Sequence, residues 1–138
     1  FKHINEAALG ILDETGYKAE DFKYAVFHQP NTKFPIKAAR SLGFNMDQIN
    51  PGLVVPKIGN TYAGSTPVGL AAIFDVAESG DRILAVSYGS GSGSDAFVFT
   101  VQEAIERKRD GPRLSRFIDR KRYVDYATYL KNRGQIIK

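Results

Sequence analysis

The chain holds two histidines and no cysteine in 138 residues, so any chemistry it performs rests on few side chains. His28 directly follows the apolar run Tyr24-Ala25-Val26-Phe27. A strand terminus is a rigid mount, and imidazole is the side chain best suited to proton transfer near neutral pH. The ordinary alternative is a structural histidine satisfied by nearby backbone. Asn60, in Gly59-Asn60-Thr61, has two readings as well. Asparagine in a tight turn is often there for its turn conformation, yet its side-chain NH₂ can also donate to an oxyanion. The third place is Gly89-Ser90-Gly91-Ser92-Gly93-Ser94, which reads as a tight hairpin or as a backbone surface that a substrate can approach closely. Gly91-x-Gly93-x-x-Ala96 formally matches a relaxed dinucleotide fingerprint, but it opens a strand rather than a helix, and that reading fails.

Without cysteine there is no disulfide, no thiolate metal site and no cysteine nucleophile, and two histidines are too few for a convincing zinc site. No run approaches the roughly 18 apolar residues of a membrane span, and nothing suggests secretion, so a cytoplasmic protein is expected. The start, Phe1-Lys2-His3, reads as the middle of a longer chain. The net charge of +4 is uneven: residues 1–104 carry 8 Lys/Arg against 11 Asp/Glu, and residues 105–138 carry 11 against 4. The basic character belongs to the tail, which argues against a nucleic-acid-binding body.

The elements that must position these residues follow from pattern. Ile4, Ala7, Ala8, Ile11 and Leu12 have helical spacing, and Gly16 suits a C-cap. Tyr24–Phe27 and Ile83–Val86 are short, continuously apolar runs, as in strands buried on both faces. Asn31 or Thr32 can cap a helix with Pro35 in its first turn and Gly43 near its end. Residues 50–59 read as a Pro- and Gly-punctuated connection. Ser65 or Thr66 is a suitable cap for a largely apolar helix over Val68–Ser79, with Gly80 as its stop. A strand over 96–101 follows. Buried strands joined through helices predict an α/β layered domain over 1–104. A basic tail over 105–138 follows, with Tyr123, Tyr126, Tyr129 and Leu130 at helical spacing, expected to pack on the body or on a partner.

Three ordered blocks carry a resemblance over nearly the whole chain: Phe27-His28-Gln29-Pro30-Asn31, Gly59-Asn60-Thr61-Tyr62-Ala63-Gly64-Ser65 and Ser87-Tyr88-Gly89-Ser90-Gly91. Together they resemble the C-terminal half of thiolase-superfamily condensing enzymes. The first two are similar to β-ketoacyl-carrier-protein synthase III. The third block, the Tyr after Gly-Asn-Thr and the Tyr-Val-Asp-Tyr-Ala tail resemble 3-hydroxy-3-methylglutaryl-CoA synthases of archaeal type.

The resemblance implies a layered αβαβα architecture of two similar halves, each with a five-stranded sheet, of which this chain is the second. It implies condensation of acetyl-CoA with acetoacetyl-CoA in isoprenoid (mevalonate) synthesis. The nucleophilic cysteine and basic glutamate come from the first half, so this chain alone is not expected to catalyse. His28 would donate a hydrogen bond or proton to the ketone oxygen, and Asn60 its amide to a thioester carbonyl. Asn31 and Lys33 would contact CoA (for Lys33 the plain alternative is a solvated lysine), Gly89 and Ser90 would line the acyl pocket, and Tyr62 would be a further substrate-binding residue. No metal and no cofactor are implied beyond CoA thioesters as substrates. The implied partners are the Cys-bearing half, a second copy in a homodimer, an acetoacetyl-CoA thiolase and an OB-fold linker protein, with no nucleic acid or membrane. The competing readings are a synthase III-like acyltransferase using carrier-protein substrates and a non-catalytic scaffold subunit. The apolar helix is also expected to leave the isolated chain poorly folded.

Overall fold

The computed structural model describes residues 1–89, 91 and 93–136. Helix α1 spans Lys2–Thr15 and ends where Gly16 turns left-handed (φ 70°). Strand β1, Tyr24–Phe27, is followed by helix α2, Lys33–Ser41. Strand β2, Arg82–Val86, pairs parallel with β1 from Tyr24 opposite Ile83 to Phe27 opposite Val86. Strand β3, Ala96–Thr100, pairs antiparallel with β2 from Val86 opposite Ala96 to Arg82 opposite Thr100.

The unbroken apolar runs in β1 and β2 have a direct cause, since alternate side chains enter two different cores. Ala25, Phe27, Leu84 and Val86 pack with Ile4 and Ala8 of α1 and Ala38 and Ala39 of α2. Val26, Ile83 and Ala85 point the other way, onto Ile73, Ala77 and Val101. The result is a helix–sheet–helix stack with β2 central. Among the described residues the sheet has three strands, in the order β1-β2-β3, rather than the five implied for a complete half. Among the described residues the elements before β1 and after β3 are helices.

Three further expectations are corrected. The connection over 50–59 contains structure: a single-turn helix α3, Met46–Ile49, leads into it, and another, α4, Val55–Ile58, lies within it. Asn45 and Gln48 form a reciprocal capping box at the start of α3. The apolar helix, α5, runs Ser65–Phe74, starting and stopping earlier than its pattern suggested. Ser65 and Thr66 lie inside it instead of capping it, because the Ser65 hydroxyl accepts from Gln29 N–H just beyond β1 and the Thr66 hydroxyl donates to Val86 O of β2. Its end is set by tertiary contact, since the Asp75 carboxylate accepts from Leu114 N–H at 2.6 Å and the Arg109 guanidinium donates to Ala77 O.

The body therefore continues past residue 104. Helix α6, Ala104–Lys108, packs Ile105 on the α5-side core, and helix α7, Leu114–Ile118, follows the Asp75 contact. Helix α8, Tyr126–Asn132, is capped by the Asp125 carboxylate. The aromatic stripe does not pack on the body: Tyr123, ahead of α8, and Tyr126, within it, are 84% and 72% exposed, and Tyr126 stacks on Tyr129. No helix among the described residues is long and apolar enough to cross a membrane.

Candidate active site

The C-terminal ends of β1 and β2 and the N-terminus of α5 meet at one carbonyl. Val86 O accepts from His28 N–H at 2.9 Å and from Thr66 Oγ1–H at 3.2 Å. This fixes the backbone of His28 one residue beyond β1, at the strand end of an open α/β sheet. Its imidazole is buried, with only 8% of the residue exposed. Phe34 meets it edge-on at 6.3 Å, and Tyr88 is tilted against it at 5.6 Å. Nδ1 lies 3.0 Å from Ser65 Oγ. Burial holds the His28 pKa below its ordinary value, because a charged imidazolium loses hydration there.

Beneath the histidine, Gln29 is buried and uses its whole amide. Its Nε2 donates to Gly52 O at 2.8 Å, and its Oε1 accepts from Val54 N–H and Val55 N–H, each at 2.9 Å. Its backbone N–H donates to Ser65 Oγ at 3.1 Å. One side chain thus joins the end of β1, the turn at Gly52 and the start of α4, and its backbone joins α5. This close assembly needs Gly69 in α5: a Cβ there would lie 2.6 Å from Gly52 O, 2.6 Å from Val26 Cγ2 and 2.8 Å from Gln29 Nε2.

The other predicted residues form two groups around this centre. Asn31 and Lys33 line an open groove with Phe1, Phe34 and Lys37, and Phe34 links that groove to His28. Asn31 Oδ1 accepts from Phe34 N–H at 3.0 Å, so it supplies the cap that the Thr32 side chain does not. Lys33 is exposed in the first turn of α2. Asn60 and Tyr62 stand on an exposed loop leading into α5. Asn60 Oδ1 accepts from Tyr62 N–H at 2.7 Å, which leaves its NH₂ as the outward donor. Two unusual backbones shape that loop: Gly59 at φ 76°, ψ −172°, and Tyr62 at φ 52°. Conformations of this kind in non-glycine residues concentrate at functional sites.

The turn after β2 is a hairpin. Ser87 N–H donates to Asp95 O at 2.8 Å and Gly89 N–H to Gly93 O at 2.9 Å, with Tyr88 beside His28. Gly89 is half-buried at its base. Ser90 lies outside the described residues. No three His, Asp or Glu side chains among the described residues gather in a way that could hold a metal ion. A separate depression at the start of β1, lined by Lys18, Lys23, Tyr24, Asn45 and Asp47, is remote from the histidine.

Ser65 and Gln29 are the site residues that the sequence reading did not single out. The sequence signals for Gln29 were its place after His28 and in the first block of the resemblance, and Ser65 read as a helix cap. Their chemistry appears only when Gln29 and Ser65, 36 positions apart, are brought together.

Known proteins match this arrangement. The model of the C-terminal domain of 3-oxoacyl-[acyl-carrier-protein (ACP)] synthase III matches residues 12–101. A hydroxymethylglutaryl-CoA synthase of Methanothermobacter thermautotrophicus is 61% identical over 99% of this chain, and one of Archaeoglobus fulgidus is 57% identical over the same share. The chain spans 40% of the length of each of these relatives. Among solved structures, PksG, an HMG-CoA synthase from Bacillus subtilis, superposes with a TM-score of 0.73. It is 18% identical, and the match covers 93% of this chain and 37% of that one, a likeness of fold. The fold is α/β and thiolase-like, and the chain belongs to the family of 3-oxoacyl-[acyl-carrier-protein] synthase III C-terminal domains.

Proposed function

We propose that this chain is the C-terminal part of an acyl-CoA condensing enzyme of the hydroxymethylglutaryl-CoA synthase type. The observation that carries the reading is 61% identity to such a synthase over 137 residues, with the histidine of the first block buried at a strand end. In the proposed reaction, acetyl-CoA acylates a cysteine outside this chain, and a glutamate, also outside it, removes a methyl proton. The carbon so activated attacks the ketone carbon of acetoacetyl-CoA. Negative charge develops on the ketone oxygen, where His28 donates a hydrogen bond or proton. Asn60, with Oδ1 already engaged, offers its NH₂ to a thioester carbonyl. Preorganised donors of this kind typically contribute about 3–4 kcal/mol to a transition state. Asn31 and Lys33 bind CoA along the groove, with the ammonium against phosphate. Gly89 lines the acyl pocket, and Tyr62 contacts substrate. Water then hydrolyses the thioester to the cysteine.

The cysteine-bearing part of the enzyme would also cover the outer face of α5, where Pro67 and Ala71 are exposed, and Val76 just past its end. A homodimer of the complete enzyme fits the same reading, as do a cytoplasmic setting and an assembly with an acetoacetyl-CoA thiolase and an OB-fold protein. The test is an assay of the complete protein with acetyl-CoA and acetoacetyl-CoA, together with an intact mass of the native complex. CoA release that disappears in His28→Ala supports the proposal. Turnover only with a carrier-protein acceptor would favour the synthase III reading that the family match also supports. No turnover with either acceptor would leave a scaffold subunit.

A further inference from the structure

We infer that Ser65 is a positioning residue that holds His28 in the tautomer with its proton on Nε2, by donating its hydroxyl proton to Nδ1. The inference rests on the proposed role of His28 as a donor, and it names the group that makes Nε2 the donating atom.

The argument is one of hydrogen-bond satisfaction. The partners of Ser65 Oγ are Gln29 N–H at 3.1 Å and His28 Nδ1 at 3.0 Å. A backbone N–H can only donate, so it occupies a lone pair of Oγ and leaves the hydroxyl proton in need of an acceptor. If Nδ1 carried the proton, both neighbours would donate into Oγ, and the hydroxyl proton would be stranded in a site that is 99% buried, Ser65 being 1% exposed. With Nδ1 unprotonated, all three groups are satisfied at once. The imidazole cannot swing away to a different arrangement, since Phe34 and Tyr88 flank the ring and its backbone is fixed to Val86 O. Among the described residues Nε2 has no hydrogen-bond partner, so it is the atom left for a substrate. The serine is itself held firmly, because Thr66 beside it bonds Val86 O and the buried Gln29 amide braces the loops below.

The experiment is a long-range ¹H–¹⁵N correlation on the complete protein with ¹⁵N-labelled histidine, near neutral pH. We expect an unprotonated Nδ1 and a protonated Nε2 for His28. In Ser65→Ala we expect a mixture of tautomers, an upward move of the His28 titration midpoint, and kcat lowered about tenfold with KM nearly unchanged. Ser65→Thr, which keeps a hydroxyl at the same atom, should restore the wild-type spectrum. A protonated Nδ1 in the wild type overturns the inference, as does Ser65→Ala with an unaltered spectrum and kcat. If Ser65→Ala does not fold, the wild-type spectrum decides alone. Condensation that survives His28→Ala would remove the proposed catalytic role, while the spectrum would still decide what Ser65 does.

Discussion

Gln29→Glu exchanges one NH₂ group for an oxygen and leaves shape and volume almost unchanged. The acceptor for Val54 N–H and Val55 N–H survives. The donor to Gly52 O at 2.8 Å does not, and an oxygen then faces a carbonyl oxygen in a buried place. The lost hydrogen bond contributes about 1 kcal/mol, and the stranded acceptor costs about 1–3 kcal/mol, so we expect a loss of roughly 2–4 kcal/mol near pH 7. The sign of the pH dependence is distinctive. A protonated carboxyl regains an O–H donor for Gly52 O, so the folded state favours the acid and raises its pKa above the ordinary value of about 4.3. A group with a raised folded pKa contributes fully below its unfolded value and loses that contribution as pH rises through the folded one. The gap between variant and wild type should therefore be smallest in acid and widest above neutrality. Paired urea unfolding of the complete protein at several pH values measures it, with amide exchange at Val54 and Val55 showing whether those two bonds persist. A variant as stable as wild type near pH 7, or a penalty that does not change with pH, would refute the account of Gln29 as a fully used buried amide.

Gly69→Ala puts a methyl group within 2.6 Å of Gly52 O, an approach that requires backbone to move. We expect a loss of about 3 kcal/mol together with weakened turnover, and wild-type stability in denaturant would contradict the packing described. Gly59→Ala meets no steric neighbour, yet φ 76° with ψ −172° is a region essentially confined to glycine. It should cost about 1–3 kcal/mol or move the loop, and a crystal structure with Asn60 unmoved at full stability would count against strain there. The His28 pKa is lowered by burial, so its contribution to stability is present above the ordinary value of about 6.5 and is lost as pH falls through the folded value. His28→Gln should flatten the fall in stability on mild acidification, and an identical slope in variant and wild type would exclude that contribution.

The parts of the fold legible in the sequence are those whose pattern is local. The runs at Tyr24–Phe27 and Ile83–Val86 announce strands buried on both faces, and the spacing from Ile4 to Leu12 announces α1. The end of α5 is illegible because Asp75, Val76 and Ala77 continue an acceptable helical pattern. What stops the helix is a contact with Leu114, 39 positions away. The one-turn helices α3 and α4 are too short to show a period, although Asn45 with Gln48 three residues on was a readable capping signal. The tyrosines of the tail show the limit of periodicity, which predicts a helix at α8 but not whether its aromatic face meets the body. His28 was legible as a residue on a rigid mount. The hydroxyl against its Nδ1 was not, since Ser65 also made sense as a helix cap.

The parallel pairing of Tyr24 with Ile83 has a kinetic meaning. Helix α1 can form from neighbours in sequence, but β1 and β2 meet only after the long intervening segment has closed into a loop, an entropic cost met before any contact offsets it. Val86 O, which holds both His28 and Thr66, belongs to that late pairing. The imidazole should therefore reach its final surroundings among the last events of refolding, and a chain halted earlier would hold no half-working version of the site. A signal from His28 in a refolding experiment reports completion of the domain rather than collapse.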